Sequence, residues 1–196
     1  MDEKTALDEL QFIRKVIDES KRAIVYNGMD YIVWGILVIT GMILTYVFLL
    51  LKIFFNFIWI WVILISIGWI FSFYSRKKEK QKQPDTFSQR IIATVWIAAG
   101  IGMTIIGFVG SFSGAVKGAY ISPILCVILG MAYLVTGTIC GEKWISYLSI
   151  GWWSGALVLF FFTGTYSLLI MALLMLFFQT IPGIIIYRNY KREVKL

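Results

Sequence analysis

The chain contains no histidine, so the side chain most used as a general base near neutral pH and as a metal ligand is missing. It has only two cysteines, Cys126 and Cys140. Both fall in one expected helix, about 21 Å apart along its axis at 1.5 Å per residue, whereas a disulfide needs Cα atoms within roughly 7 Å. They are therefore read as reduced packing residues. There is no HExxH run, no metal-ligand cysteine spacing and no paired carboxylate beside an apolar segment, so nothing points to a metal centre or acid–base pair. An enzyme built from this chain would have to run on Ser, Thr, Tyr or Cys without a visible base. The expectation is a non-enzymatic protein with no cofactor.

Charge is also scarce, at 15% of residues against 59% hydrophobic; an ordinary soluble domain carries about 25% charged residues. A water-soluble domain of this length cannot hide so much apolar surface. The scarcity is concentrated, because residues 31–51 and 53–74 hold no charged side chain except at the intervening Lys52. Runs of about 20 apolar residues cross a hydrocarbon core roughly 30 Å thick. Six such spans are expected, at residues 31–51, 53–74, 91–109, 120–140, 144–163 and 167–187. Helices are the default, since every backbone polar group must be satisfied inside lipid. The last two spans would make an impossibly long single helix, and Gly164-Thr165-Tyr166 supplies the break. The fold class is thus all-α, a six-transmembrane-helix bundle occupying residues 29–196. No Asp, Glu, Lys, Arg or His lies inside any span as drawn, which argues against a proton-coupled pump or a voltage sensor.

What charge there is lies mostly on one side. Residues 1–30, loop 75–90, the turn at 141–143 and the tail after 187 hold all the Lys and Arg except Lys52 and Lys117. Short basic loops stay in the cytoplasm, so the expected location is the cytoplasmic (inner) membrane, multi-pass, with both termini in the cytoplasm. Loop 75–90 is then a topological anchor near lipid headgroups. It lacks the interleaved aromatics of a nucleic-acid surface, and no nucleic acid is expected as a partner. Thr86-Phe87-Ser88-Gln89 fits a capping box that starts the third span. Residues 1–30 contain no continuous apolar run, so the first span is expected to act as an uncleaved anchor.

Residues 1–28 read as a cytoplasmic amphipathic helix. Thr5 with Asp8 fits a capping box, Asn27-Gly28 is a stop, and Leu10, Ile13, Ile17 and Ile24 mark one apolar stripe. Its polar face is slightly acidic rather than basic, unlike that of most interfacial helices. The stripe is expected to dock on protein: the chain's own spans, loop 75–90, a partner or a second copy.

Small residues give weaker signals. Ala98 with Gly102, and Gly151 with Gly155, have the small-xxx-small spacing of close helix packing. In the last span, Pro182 removes a backbone N–H and Gly183 adds freedom. Gln179, Thr180, Pro182 and Gly183, with Trp152 and Trp153, are therefore candidates for a hinge or a polar spot lining a cavity. Two functional readings follow. The first is an accessory, regulatory or scaffold subunit that docks partners through its cytoplasmic helix. The alternative is a pore or carrier for a small neutral or apolar solute or a lipid. Membrane lipids are the expected partners in either case, with a protein partner or homo-oligomer in the first.

Overall fold

The computed structural model describes residues 28–53, 56–80 and 86–193. Most of these residues are helical, with no strand among them. We number the helices in chain order: α1 Gly28–Leu50, α2 Ile58–Lys80, α3 Phe87–Thr104, α4 Gly118–Cys140, α5 Lys143–Phe161, α6 Ser167–Met175 and α7 Ile181–Glu193. A π-helical segment, Ile105–Gly110, prolongs α3, and a second, Leu176–Thr180, joins α6 to α7 into one bent rod. Six of these rods are long and apolar enough to cross a bilayer. The protein is an all-α, multi-pass membrane protein. The expected helix over residues 5–26, with Leu10, Ile13, Ile17 and Ile24, lies outside the described residues.

Local chemistry sets the helix ends. The capping box forms as the sequence suggests: Thr86 N–H donates to Gln89 Oε1 at 2.8 Å and Gln89 N–H to Thr86 Oγ1 at 3.3 Å. At the far end of α4, Gly141 takes the left-handed conformation (φ 68°). Glu142 N–H then reaches Gly137 C=O at 3.0 Å and Gly141 N–H reaches Thr138 C=O at 3.3 Å, the Schellman pattern that satisfies late carbonyls. The second span begins at Ile58 rather than residue 53. The Asn56 side chain accepts from Ile58 N–H at 3.1 Å, the bond an N-cap residue makes. The other helices run past the charge-free runs, because lipid sets where charge is unwelcome and not where the backbone must stop. As a result Asp30, left outside the first span on sequence, stands in the first turn of α1.

Packing is uneven. α4 and α5 form the tightest pair, and α1 lies along the α6–α7 rod. Glycines permit the close approaches. A Cβ on Gly137 would strike Ser146, one on Gly151 the Phe178 ring, and one on Gly155 the Leu174 side chain. Gly151 and Gly155 therefore fit α5 against the last rod. Ala98 and Gly102 do not act this way: Ala98 is exposed and Gly102 has open space where a Cβ would stand. α3 turns that face away from the neighbouring helices. The core collects where α4, α5, α6 and α1 meet, around Trp152, Tyr133, Leu159, Met171 and Cys126. α2 packs chiefly on α1, and α3 chiefly on α4. Between those two pairs the bundle is open.

Candidate functional site

The opening is a cleft of about 1370 Å³, above the roughly 300–1,000 Å³ typical of small-molecule sites. Its walls come from α1, α2, α3, α4 and α6, with Tyr187 of α7 at one end, and α5 contributes none of the lining. The lining runs from Asp30 to Leu49 along α1, about 28 Å at 1.5 Å per residue, which is the height of a hydrocarbon core. One end reaches Arg76, Lys78 and Gln89; the other reaches Asn56, Ser111 and Thr165. The first of these we call the basic end.

The basic half is aromatic. Tyr31, Trp34, Trp69 and Trp96 all line it. Tyr31 meets Trp96 edge-on with centroids 5.0 Å apart, and Trp34 meets Trp69 edge-on at 6.0 Å. Trp69 also lays its ring edge over Gly100 of α3, so it bridges the two walls. Two of the three indole N–H groups facing this region are bonded inside the protein: Trp34 Nε1–H donates to Ser72 Oγ at 2.9 Å, and Trp96 Nε1–H to Thr136 Oγ1 at 3.1 Å. What these rings offer the cleft is apolar and π surface.

Among these rings sits Asp30. Ser72 Oγ–H donates to its Oδ1 at 3.5 Å, a long contact. Arg76, one turn further along α2, is the cation whose field reaches the carboxylate. Sequence reasoning missed this group because Asp30 falls one residue before the charge-free run. A signal was present: Asp30 and Trp34 are i,i+4 neighbours on α1, and Trp69, Ser72 and Arg76 share a face of α2.

The residues singled out in the last span are spread more widely. Gln179 lines the cleft and accepts from Tyr133 O–H at 2.7 Å. Thr180 Oγ1–H donates to Met175 C=O at 3.2 Å, a five-residue step within the π segment, and faces Gly35 of α1. Pro182 stands two residues past the end of that segment. With no N–H to give and a ring that crowds the carbonyl four residues earlier, it favours the wider turn there. Gly183 lets Tyr31 and Ile32 of α1 approach, its absent Cβ lying 2.8 Å from Tyr31 Cβ. Trp152 and Trp153 lie away from the cleft. Trp152 is buried in the core, stacked on Tyr133 at 6.2 Å. Trp153 covers Gly130 and donates to Val127 C=O at 3.3 Å. Adjacent helical residues diverge by about 100°, so the pair could not share one wall.

The Tyr133–Gln179 bond joins two fully or nearly buried groups across α4 and the last rod. Tyr133→Phe leaves the Gln179 carbonyl without that donor, a loss of about 1–3 kcal/mol. In detergent the melting temperature should fall by roughly 2–4 °C per kcal/mol for a chain of this size. Adding Gln179→Leu should recover part of the loss, since removing both partners leaves no orphaned acceptor. An unchanged melting temperature in Tyr133→Phe would show the bond is replaced by another donor.

No family model, no curated protein and no solved structure matches this chain. The functional reading therefore stands on the residues themselves.

Proposed function

We propose that the protein binds a membrane-soluble small molecule in the cleft between the α1–α2 and α3–α4 pairs, and exchanges it with the bilayer. This starts from the alternative reading of the sequence, a pore or carrier for a small neutral or apolar solute or a lipid. The observation that carries it is the cleft's height: an apolar, aromatic-rich lining that follows α1 over the thickness of the hydrocarbon core. Two further features support it. Both π-helical segments border the cleft, through Gly107 and Phe108 on one side and Gln179 on the other, and such segments recur at functional sites. α2 is thinly attached, with only 6% of its apolar stretch buried, which suits a wall that moves to admit a ligand sideways.

On this reading the protein is not an enzyme: the lining offers hydroxyls along its length and Asp30, Arg76 and Lys78 at one end, with no histidine or cysteine among the lining residues. The basic end faces the cytoplasm of an inner membrane, by the distribution of Lys and Arg. The subunit reading rests on Leu10, Ile13, Ile17 and Ile24, outside the described residues, and nothing in the cleft favours it.

The test is extraction in mild non-ionic detergent, native mass analysis and identification of what travels with the chain. The expected result is a small apolar or amphiphilic molecule, near one per chain, displaced by a matched ligand. A chain that carries no such molecule, takes none up, and instead retains a stoichiometric protein would sink this reading and restore the subunit one.

A further inference from the structure

The cleft is apolar over most of its length but has one acidic feature, and that feature narrows the ligand. We propose that the molecule held there is a lipophilic organic cation, its positive centre seated between the Asp30 carboxylate and the aromatic layer below it. This deepens the cleft reading and rests on it.

Four observations converge. First, Asp30 lines the cleft from the first turn of α1; a carboxylate at the edge of the apolar zone is costly unless it has a partner or a task. Second, its partners among the described residues are modest. Ser72 donates at 3.5 Å, while a carboxylate has about four acceptor positions. Third, the layer one turn deeper is aromatic: Trp34 follows Asp30 by one turn of α1, and Trp69 precedes Ser72 by one turn of α2. Tyr31 and Trp96 extend this layer at 5.0 Å from each other. A cation over such faces gains about 0.5–2 kcal/mol, more when water is excluded. Fourth, the indole N–H groups of Trp34 and Trp96 are already bonded internally, so the rings are arranged for their π faces and not for hydrogen-bonding a neutral polar group.

Arg76 and Lys78 line the same end. Arg76 lies one turn outward of Ser72 on α2, closer to water than Asp30. It acts as the resident counter-charge of an empty cleft, and an entering cation takes over the carboxylate as the guanidinium swings to the headgroup zone. Ser72 holds the carboxylate in place for both. The alternative role for Asp30 is purely structural, a first-turn charge joining α1 to α2 through Ser72; that role would affect melting but not discriminate between ligands of equal shape and different charge.

The experiment uses the full chain in non-ionic detergent and two probes of the same shape, tetraphenylphosphonium and neutral tetraphenylsilane, titrated by calorimetry. The wild type should bind the cation about 10-fold or more tightly than the neutral probe, the range set by a charge-assisted contact. Asp30→Asn should erase that preference and leave the neutral probe unchanged. Asp30→Glu should keep it within a few-fold. Arg76→Gln should tighten cation binding by up to about fivefold, as expected for losing a partly solvated competing charge. If the wild type binds both probes equally, the charge inference is overturned and the cleft reading survives. If it binds neither, the cleft reading itself fails. Because the wild-type comparison can overturn the proposal alone, an Asp30→Asn chain that failed to fold would leave the test intact.

Discussion

Gly107→Trp is expected to empty the cleft. Gly107 lies in the π-helical continuation of α3 and lines the cleft wall, with no heavy atom within 4 Å of the place a Cβ would occupy. An indole there has room to grow without striking the helix packing, and it grows into the space the ligand uses, covering about 150–250 Å². Binding of the tetraphenylphosphonium probe, and retention of any co-purifying molecule, should fall at least about tenfold, equivalent to about 1.4 kcal/mol. Gly102→Trp is the matched control. Gly102 is equally open, lies on the same helix and is not part of the cleft lining, so its variant should bind as the wild type does. Equal binding in both variants would mean that the cleft is not where the ligand sits. A drop in both would trace the effect to α3 rather than to the filled space.

Gly35→Ala should destabilise the protein strongly for the addition of a single methyl group. A Cβ on Gly35 collides with Thr180 Oγ1 and lies 3.4 Å from Gln179 Cγ. Thr180 is buried, and its hydroxyl hydrogen is committed to Met175 C=O at 3.2 Å. The added methyl must either push α1 off the last rod or rotate the hydroxyl and orphan a buried donor. Overpacking of this kind costs about 1–3 kcal/mol, or about 2–12 °C of melting temperature at this chain length. Gly102→Ala, with nothing in reach, should be neutral or slightly stabilising, because alanine is the better helix former. The pair is read by thermal unfolding in detergent. A Gly35→Ala chain that melts with the wild type would mean that α1 and the last rod separate at no cost, contrary to the seam made by Gly28, Gly35 and Gly183.

The two seams differ in how far sequence exposes them. Gly151 with Gly155 could be picked out by spacing and does fit α5 against Phe178 and Leu174. Ala98 with Gly102 has the same spacing and faces open space. Small-xxx-small spacing specifies a smooth face; it does not say whether another helix comes to that face. Gly35 and Gly183, the residues that let α1 lie against the last rod, share no spacing because they belong to helices far apart in sequence. The same holds for the cleft. Gln179 is legible as a polar residue in an apolar run, but nothing in the sequence relates Trp34, Trp69 and Trp96 until three helices bring them together.

The sequence by itself determined the solvent of this protein and the number of times it crosses it. Both follow from local quantities: runs of uncharged residues long enough for a bilayer, a turn at Gly164-Thr165-Tyr166, a capping box at Thr86 and Gln89, and a proline that disturbs its own helix. Only the tertiary structure decided that α2 and α3 stand apart, that Asp30 faces the gap between them, and that Trp152 is core while Gln179 is wall. Each of these depends on which face of a helix meets which neighbour. In a chain apolar on nearly every face, hydrophobic periodicity cannot encode that choice, and shape complementarity between distant helices makes it instead.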